Sequence, residues 1–179
     1  MVHCMVDLET MSTAPNAAIV SIGAVAFDSN GIKSTYYAPV DIVSSMSHGL
    51  HVDGDTILWW LKQTDQARAE LWAQGRAALP EACEKFARFY VANACETVWG
   101  NGATFDNVIL TSAFTACELD RPWKYNADRC FRTIKAAFPK EDVPTQGTAH
   151  KAVDDAVWQA EYLIKLNDRQ AMRSDRSIL

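Results

Sequence analysis

A chain of 179 residues, 49% hydrophobic and 22% charged, can bury one sizeable core and is short for two. Its formal net charge of −5 speaks against a protein that holds nucleic acid on a broadly basic surface. Five scattered cysteines without a CxxC pair speak against a zinc site or a disulfide framework, and fit free thiols in a reducing compartment.

The first element is "VHCMVDLET" (2–10). Read with period two, Val2, Cys4, Val6 and Leu8 share one face, and His3, Met5, Asp7 and Glu9 share the other. After the polar turn "TMSTAPN" comes "AAIVSIGAVAF", apolar enough for a central strand. "DSNG" (28–31) has the composition of a tight turn, and "IKSTYYAPV" makes a third strand, so the chain opens as an antiparallel meander. The period then lengthens. "GDTILWWLKQTDQARAELWAQG" predicts a helix capped at Asp55, with Leu58, Trp59, Leu61 and Leu71 on its apolar stripe. Pro80 opens another helix, with Ala82, Phe86, Phe89 and Tyr90 on one side.

"ETVWG" (96–100) reads as a fourth strand. A helix from about Thr104 carries Phe105, Val108, Ile109, Ala113 and Ala116 on one stripe. "PWKYNADRCFRTIKAAF" suggests a short strand running into a short helix. The last helix has Val153, Ala156, Val157, Ala160 and Ile164 on one stripe, and residues 169–179 form a polar tail that frays or docks. The expectation is one domain over 1–179, of α/β class. Its mixed sheet has three leading antiparallel strands, then alternating helices and strands, flanked by helices.

Asp7 and Glu9 end an apolar strand on the same face, roughly 6–7 Å apart. Two carboxylates that close repel by about 2–3 kcal/mol at an effective dielectric near 20, so a cation between them would be a reason for the pairing. Further acids sit where helices begin: Asp106 after "WGNGAT", and Asp154 and Asp155 after His150. Carboxylate oxygens select magnesium or manganese over zinc. Two such ions are the usual device for in-line attack on a phosphodiester, and a histidine of near-neutral pKa suits a general base. Helix position leaves the choice between Asp154 and Asp155 open.

"DLET" (7–10), "GNGATFDN" (100–107) and "HKAVDDA" (150–156) resemble, in order, the three exonuclease motifs of the DEDDh 3′-5′ exonucleases, which share a ribonuclease-H-like fold. The likeness spans residue 5 to about 165, and "DTILWWLKQTDQAR" looks most like the phage- and prophage-borne branch named exodeoxyribonuclease VIII-like or 3′-5′ exoribonuclease. The resemblance implies that Asp7, Glu9, Asp106 and Asp155 bind two Mg2+ ions, with Mn2+ as a substitute, and that His150 is the general base. It also matches Thr10, Met11 and Phe105 to substrate-binding positions. The implied activity is removal of nucleoside 5′-monophosphates from the 3′ end of single-stranded RNA or DNA. The implied setting is the cytoplasm of a bacterial or phage-infected cell, with no membrane partner and a homodimer as an option.

Two other readings compete: a catalytically silent interaction module on the same fold, and a nuclease confined to very short oligonucleotides. Lys33, Lys124, Arg129, Arg132, Lys135 and Lys151 are candidates for a local basic rim that offsets the acidic whole. Adjacent Trp59 and Trp60 cannot share a helix face, so at least one packs inward, and Trp59, Trp60 and Trp72 are candidates for base stacking. His3, His48 and His51 read as structural or surface residues.

Overall fold

A computed structural model describes residues 1–144, 147 and 150–176, with side chains described up to residue 169. Strands β1 (Val2–Thr10), β2 (Ile19–Asp28) and β3 (Gly31–Pro39) form the expected antiparallel meander. Strand β4 (Cys95–Gly100) then pairs parallel to β1, and β5 (Asp128–Cys130) parallel to β4, giving the order β3-β2-β1-β4-β5. This α/β arrangement, a five-stranded mixed sheet flanked by helices, is consistent with a ribonuclease-H-like fold.

The central strands β1 and β2 are covered on both faces, which is why β2, apart from Ser21 and the terminal Asp28, is apolar rather than alternating. On one side Cys4, Val6, Leu8, Ile22 and Ala24 join the core under helices α4 (Leu79–Ala92) and α5 (Asp106–Ala116). On the other, Met5, Val25 and Phe27 pack with Phe131 of α6 (Phe131–Ala137) and with Ala156, Ala160 and Tyr162 of α7 (Ala152–Arg176). Helix α7 lies across β1, β2 and β3. It also extends the predicted last helix well into the expected tail; residues 177–179 lie outside the described residues. No helix among the described residues is long and apolar enough to cross a membrane.

The region 40–75 departs most from the sequence reading. A short helix α1 (Ile42–Ser47) was not expected; Asp41 caps it by accepting the Val43 N–H at 3.0 Å. The single helix expected over 54–75 is three pieces: α2 (Gly54–Leu61), α3 (Asp65–Arg68) and a 3₁₀ turn over Ala69–Trp72. Thr64 restarts the helix by accepting the Ala67 N–H, and Asp53 rather than Asp55 caps α2 through Thr56. The apolar stripe is also corrected. Trp60 is the buried residue of α2 at 1% exposure, whereas Leu58 and Leu61 are 54% and 61% exposed. A tertiary bond decides this, because the Trp60 Nε1–H donates to the Thr10 carbonyl at 2.9 Å.

Helix α5 starts at Asp106, with Phe105 as the flanking residue before it rather than inside the helix. Its buried side is Ile109, Leu110, Ala113 and Phe114, so Val108 and Ala116 of the predicted stripe sit at its margin.

Candidate active site

The acids of β1 face α7. Asp7 and Glu9 share strand parity with Met5, which packs under that helix. The β1–β2 register slips between Glu9 and Thr10, so the strand bends as it delivers Glu9. Opposite Asp7 in the ladder stands Gly23, and α7 begins directly on it. A Cβ at Gly23 would lie 2.1 Å from the Ala152 carbonyl carbon and 2.2 Å from the Val153 nitrogen. The missing side chain is therefore what seats the first turn of α7, and with it Asp155, beside β1.

Asp106 enters from the other side of the sheet's end. It is 2% exposed, and its oxygens accept from the Leu8 N–H of β1 at 3.1 Å and from the Asn101 N–H at 2.7 Å. Gly100 makes room for it, since a Cβ there would lie 2.9 Å from the Asp106 Cβ. His150 precedes α7 with φ of 64°, a left-handed backbone that few non-glycine residues adopt. Its N–H donates to Asp155 Oδ2 at 3.2 Å, and its ring meets Trp59 edge-on with centroids 5.1 Å apart.

One ligand atom each of Glu9, His150 and Asp155 lies within 4.8 Å of the others. Asp154, the neighbouring acid, is outside that group and has Lys151 at 4.0 Å. Asp7 and Asp106 adjoin the group closely enough to act on its charges. Burial raises Asp7 well above the usual carboxylate range, and repulsion from Asp106, Glu9 and Asp155 adds to this. Glu9 is pushed up to about 8 by burial, then by Asp155, Glu70 and Asp106. Asp106 rises to about 6 through burial, held down by the N–H groups of Asn101 and Leu8. Burial also raises Asp155.

These shifts fix a pH dependence for the metal-free protein. A carboxyl whose pKa is higher folded than unfolded stabilises the fold below its unfolded value and loses that stabilisation as pH rises through the folded value. Glu9 passes from 4.5 unfolded to about 8 folded, so the loss is still in progress between pH 6.5 and 8. His3, shifted downward, acts in the opposite sense only below its ordinary 6.5. In EDTA, melting temperature is expected to fall by about 2–6 °C from pH 6.5 to 8, from roughly 1–2 kcal/mol of linkage. Excess Mn2+ should remove or reverse the slope, because a cation then takes the place of the proton. A melting temperature that rises over this window in EDTA would contradict the burial and repulsion that raise Glu9.

The donor set suits a hard divalent cation: four carboxylates from three separate segments, near enough that Asp106 and Asp155 raise both Asp7 and Glu9, with one imidazole alongside.

A groove of about 450 Å³ opens beside Glu9, lined by Thr10, Ser12, Thr13, Asp53, Trp59 and Phe105, among others. Of the three positions matched to substrate binding, Thr10 and Phe105 line it. The Thr10 hydroxyl is committed to the Ser12 carbonyl at 2.7 Å. Met11 instead packs into the main core. Trp59 is half-exposed on the groove, and Trp72, 76% exposed, stands outside it. Of the basic residues, Arg132 is near enough to Asp106 to favour its charged form, and Lys151 adjoins His150. Lys33 is paired with Asp28 at 2.9 Å, and Lys135 covers the Trp158 ring at 4.8 Å.

Two polar residues of the site escaped the sequence reading. Glu70, buried, accepts the Tyr37 hydroxyl at 2.5 Å and adds its charge to the field at Glu9. Gln159 is buried on α7 and donates from Nε2 to Asp7 Oδ1 at 2.7 Å. The spacing of four from Asp155 places Gln159 on the same helix face, which was a readable signal.

Among known families, the model of the 3′-5′ exoribonuclease Rv2179c-like domain matches residues 2–166. A comparison with curated proteins gives no match.

Proposed function

The chain belongs to the Rv2179c-like 3′-5′ exoribonuclease domain family, and from that premise we propose that it hydrolyses the 3′-terminal phosphodiester of single-stranded RNA by a two-cation mechanism of the DEDDh type. The observation that carries this reading is the cluster of Glu9, Asp155 and His150 within 4.8 Å, with Asp7 and Asp106 near enough to act on these charges. Four mutually repelling acids are costly to hold together without cations. The four acids would hold two Mg2+ or Mn2+ ions. Such ions, when bound, acidify water and neutralise charge developing on the attacking and leaving oxygens.

The chain's own residues do the rest. A ring nitrogen of His150 takes a proton from the attacking water, whose oxygen forms the new bond to phosphorus. The bond from phosphorus to O3′ of the penultimate nucleotide breaks. That oxygen becomes the new 3′-hydroxyl on taking up a proton, and a nucleoside 5′-monophosphate leaves. Trp59 meets the His150 ring edge-on, which steers the imidazole toward Glu9 and Asp155. The groove of Thr10, Trp59 and Phe105 receives the terminal nucleoside. Its apolar walls suit a base, and its hydroxyl and carboxylate groups suit a ribose. One exonuclease unit spans the chain, and the branch resemblance to phage and prophage proteins is part of the same proposal.

The test is release of mononucleotide from 5′-labelled single-stranded RNA and from the matched DNA. Release with Mn2+ and none with EDTA is expected. Full activity in EDTA would end the cation proposal. For His150→Ala, kcat is expected to fall about 10²–10⁴-fold with KM changed far less, the usual worth of a positioned general base. An unchanged pH–rate profile in that variant would assign the proton to another group.

A further inference from the structure

Helix α7 contributes Asp155 to the site and, one turn on, an uncharged amide that takes hold of an acid from the first strand. Gln159 is 2% exposed, donates to Asp7 Oδ1 at 2.7 Å across 152 residues of sequence, and keeps its own Oε1 buried without a hydrogen-bond partner among the described residues. That second fact matters. A buried amide oxygen left unpaired costs about 1–3 kcal/mol, so fold stability alone does not account for glutamine here. Methionine or leucine would fill a similar volume without an orphaned oxygen. What the amide does, and neither apolar side chain does, is donate one hydrogen bond to Asp7.

We propose that Gln159 is a positioning residue for the cation site: its N–H fixes the rotamer of Asp7 while leaving that carboxylate's charge intact. The inference rests on the cation-binding reading of the four acids. The choice of an amide follows from the neighbours that face it. Asp106, Glu9 and Asp155 already act on Asp7. A glutamate at 159 would add a fifth like charge, and a lysine would compete with the divalent ion for Asp7. A neutral donor fixes one oxygen of Asp7 and leaves the other to ligate. Residues in this outer position commonly govern metal affinity by 10- to 100-fold.

The experiment is Mn2+ binding to the whole protein without RNA, followed by the electron paramagnetic resonance of free Mn2+, for wild type, Gln159→Met and Gln159→Leu. Wild type is expected to bind, and both variants to bind 10- to 100-fold more weakly. Their metal-free melting temperatures should stay close to wild type, since the orphaned oxygen is removed together with the hydrogen bond to Asp7. At saturating Mn2+, KM for RNA is expected to stay within twofold of wild type. If wild type binds no Mn2+, the cation reading itself fails. If wild type binds and a folded variant binds within twofold of it, only the role of Gln159 fails. Two variants that both fail to fold would make Gln159 a structural residue and overturn the positioning role.

Discussion

Asp106→Asn is expected to cut mononucleotide release about 10³-fold while the chain still folds. The rate loss is what removal of one fixed charge from a transition-state site commonly brings, 10²–10³-fold or slightly more. The fold survives because two effects on stability oppose each other. The amide oxygen replaces only one acceptor, so either the Leu8 or the Asn101 N–H loses its partner, at about 1–3 kcal/mol. Against this, a buried charge that repels Asp7 and Glu9 disappears. Single-turnover cleavage of labelled RNA at saturating Mn2+, beside a metal-free melt, separates the two. A folded Asn variant that keeps more than a tenth of wild-type turnover would remove Asp106 from the chemistry.

The largest structural effect belongs to a residue with no side chain. Gly23→Ala places a methyl group within 2.1–2.3 Å of the Ala152 and Val153 backbone, far inside any permitted contact. Backbone at a helix start does not swing aside as the tip of a lysine would. Helix α7 must lift from the sheet, carrying His150 and Asp155 away from Glu9. A loss of about 3 kcal/mol or more is expected, or roughly 6–12 °C in melting temperature. Whatever folds should be at least ~100-fold slower, since a 1 Å misplacement costs about that much. Gly54→Ala is the control: nothing lies within 4 Å of its Cβ position, and it sits in the first turn of α2. Its melting temperature should stay level or rise slightly. Wild-type stability and rate in Gly23→Ala would mean that α7 does not sit where described.

The meander and the shared face of Asp7 and Glu9 were legible because period-two patterning and short turns are local signals, whereas the selection of Asp155 over Asp154 came only from the motif resemblance. Asp7 and Glu9 share a face by arithmetic, and Gly100 lies in the stretch that announces Asp106. The 54–75 region misled because helical periodicity runs through Gln63 and Thr64 without a proline or glycine to mark the break. Choosing Trp60 over Trp59 required the carbonyl of Thr10, fifty positions away, to be its partner. Gly23 is plain in "VSIGAVAF", yet nothing local says that a helix from residue 152 will rest on it. Glu70 and Gln159 have the same character: each polar group is explained by a partner distant in sequence, Tyr37 for one and Asp7 for the other.

Asp7 comes from the first strand, and its amide partner follows 152 residues later. During synthesis on a ribosome the first strand emerges long before the last helix exists. A partly made chain therefore holds Asp7 and Glu9 without the helix that brings Asp155 beside them. The two acids of β1 meet Gln159 and Asp155 only once α7 has been made and has packed on the sheet, so the acid cluster is among the last parts of the fold to be completed.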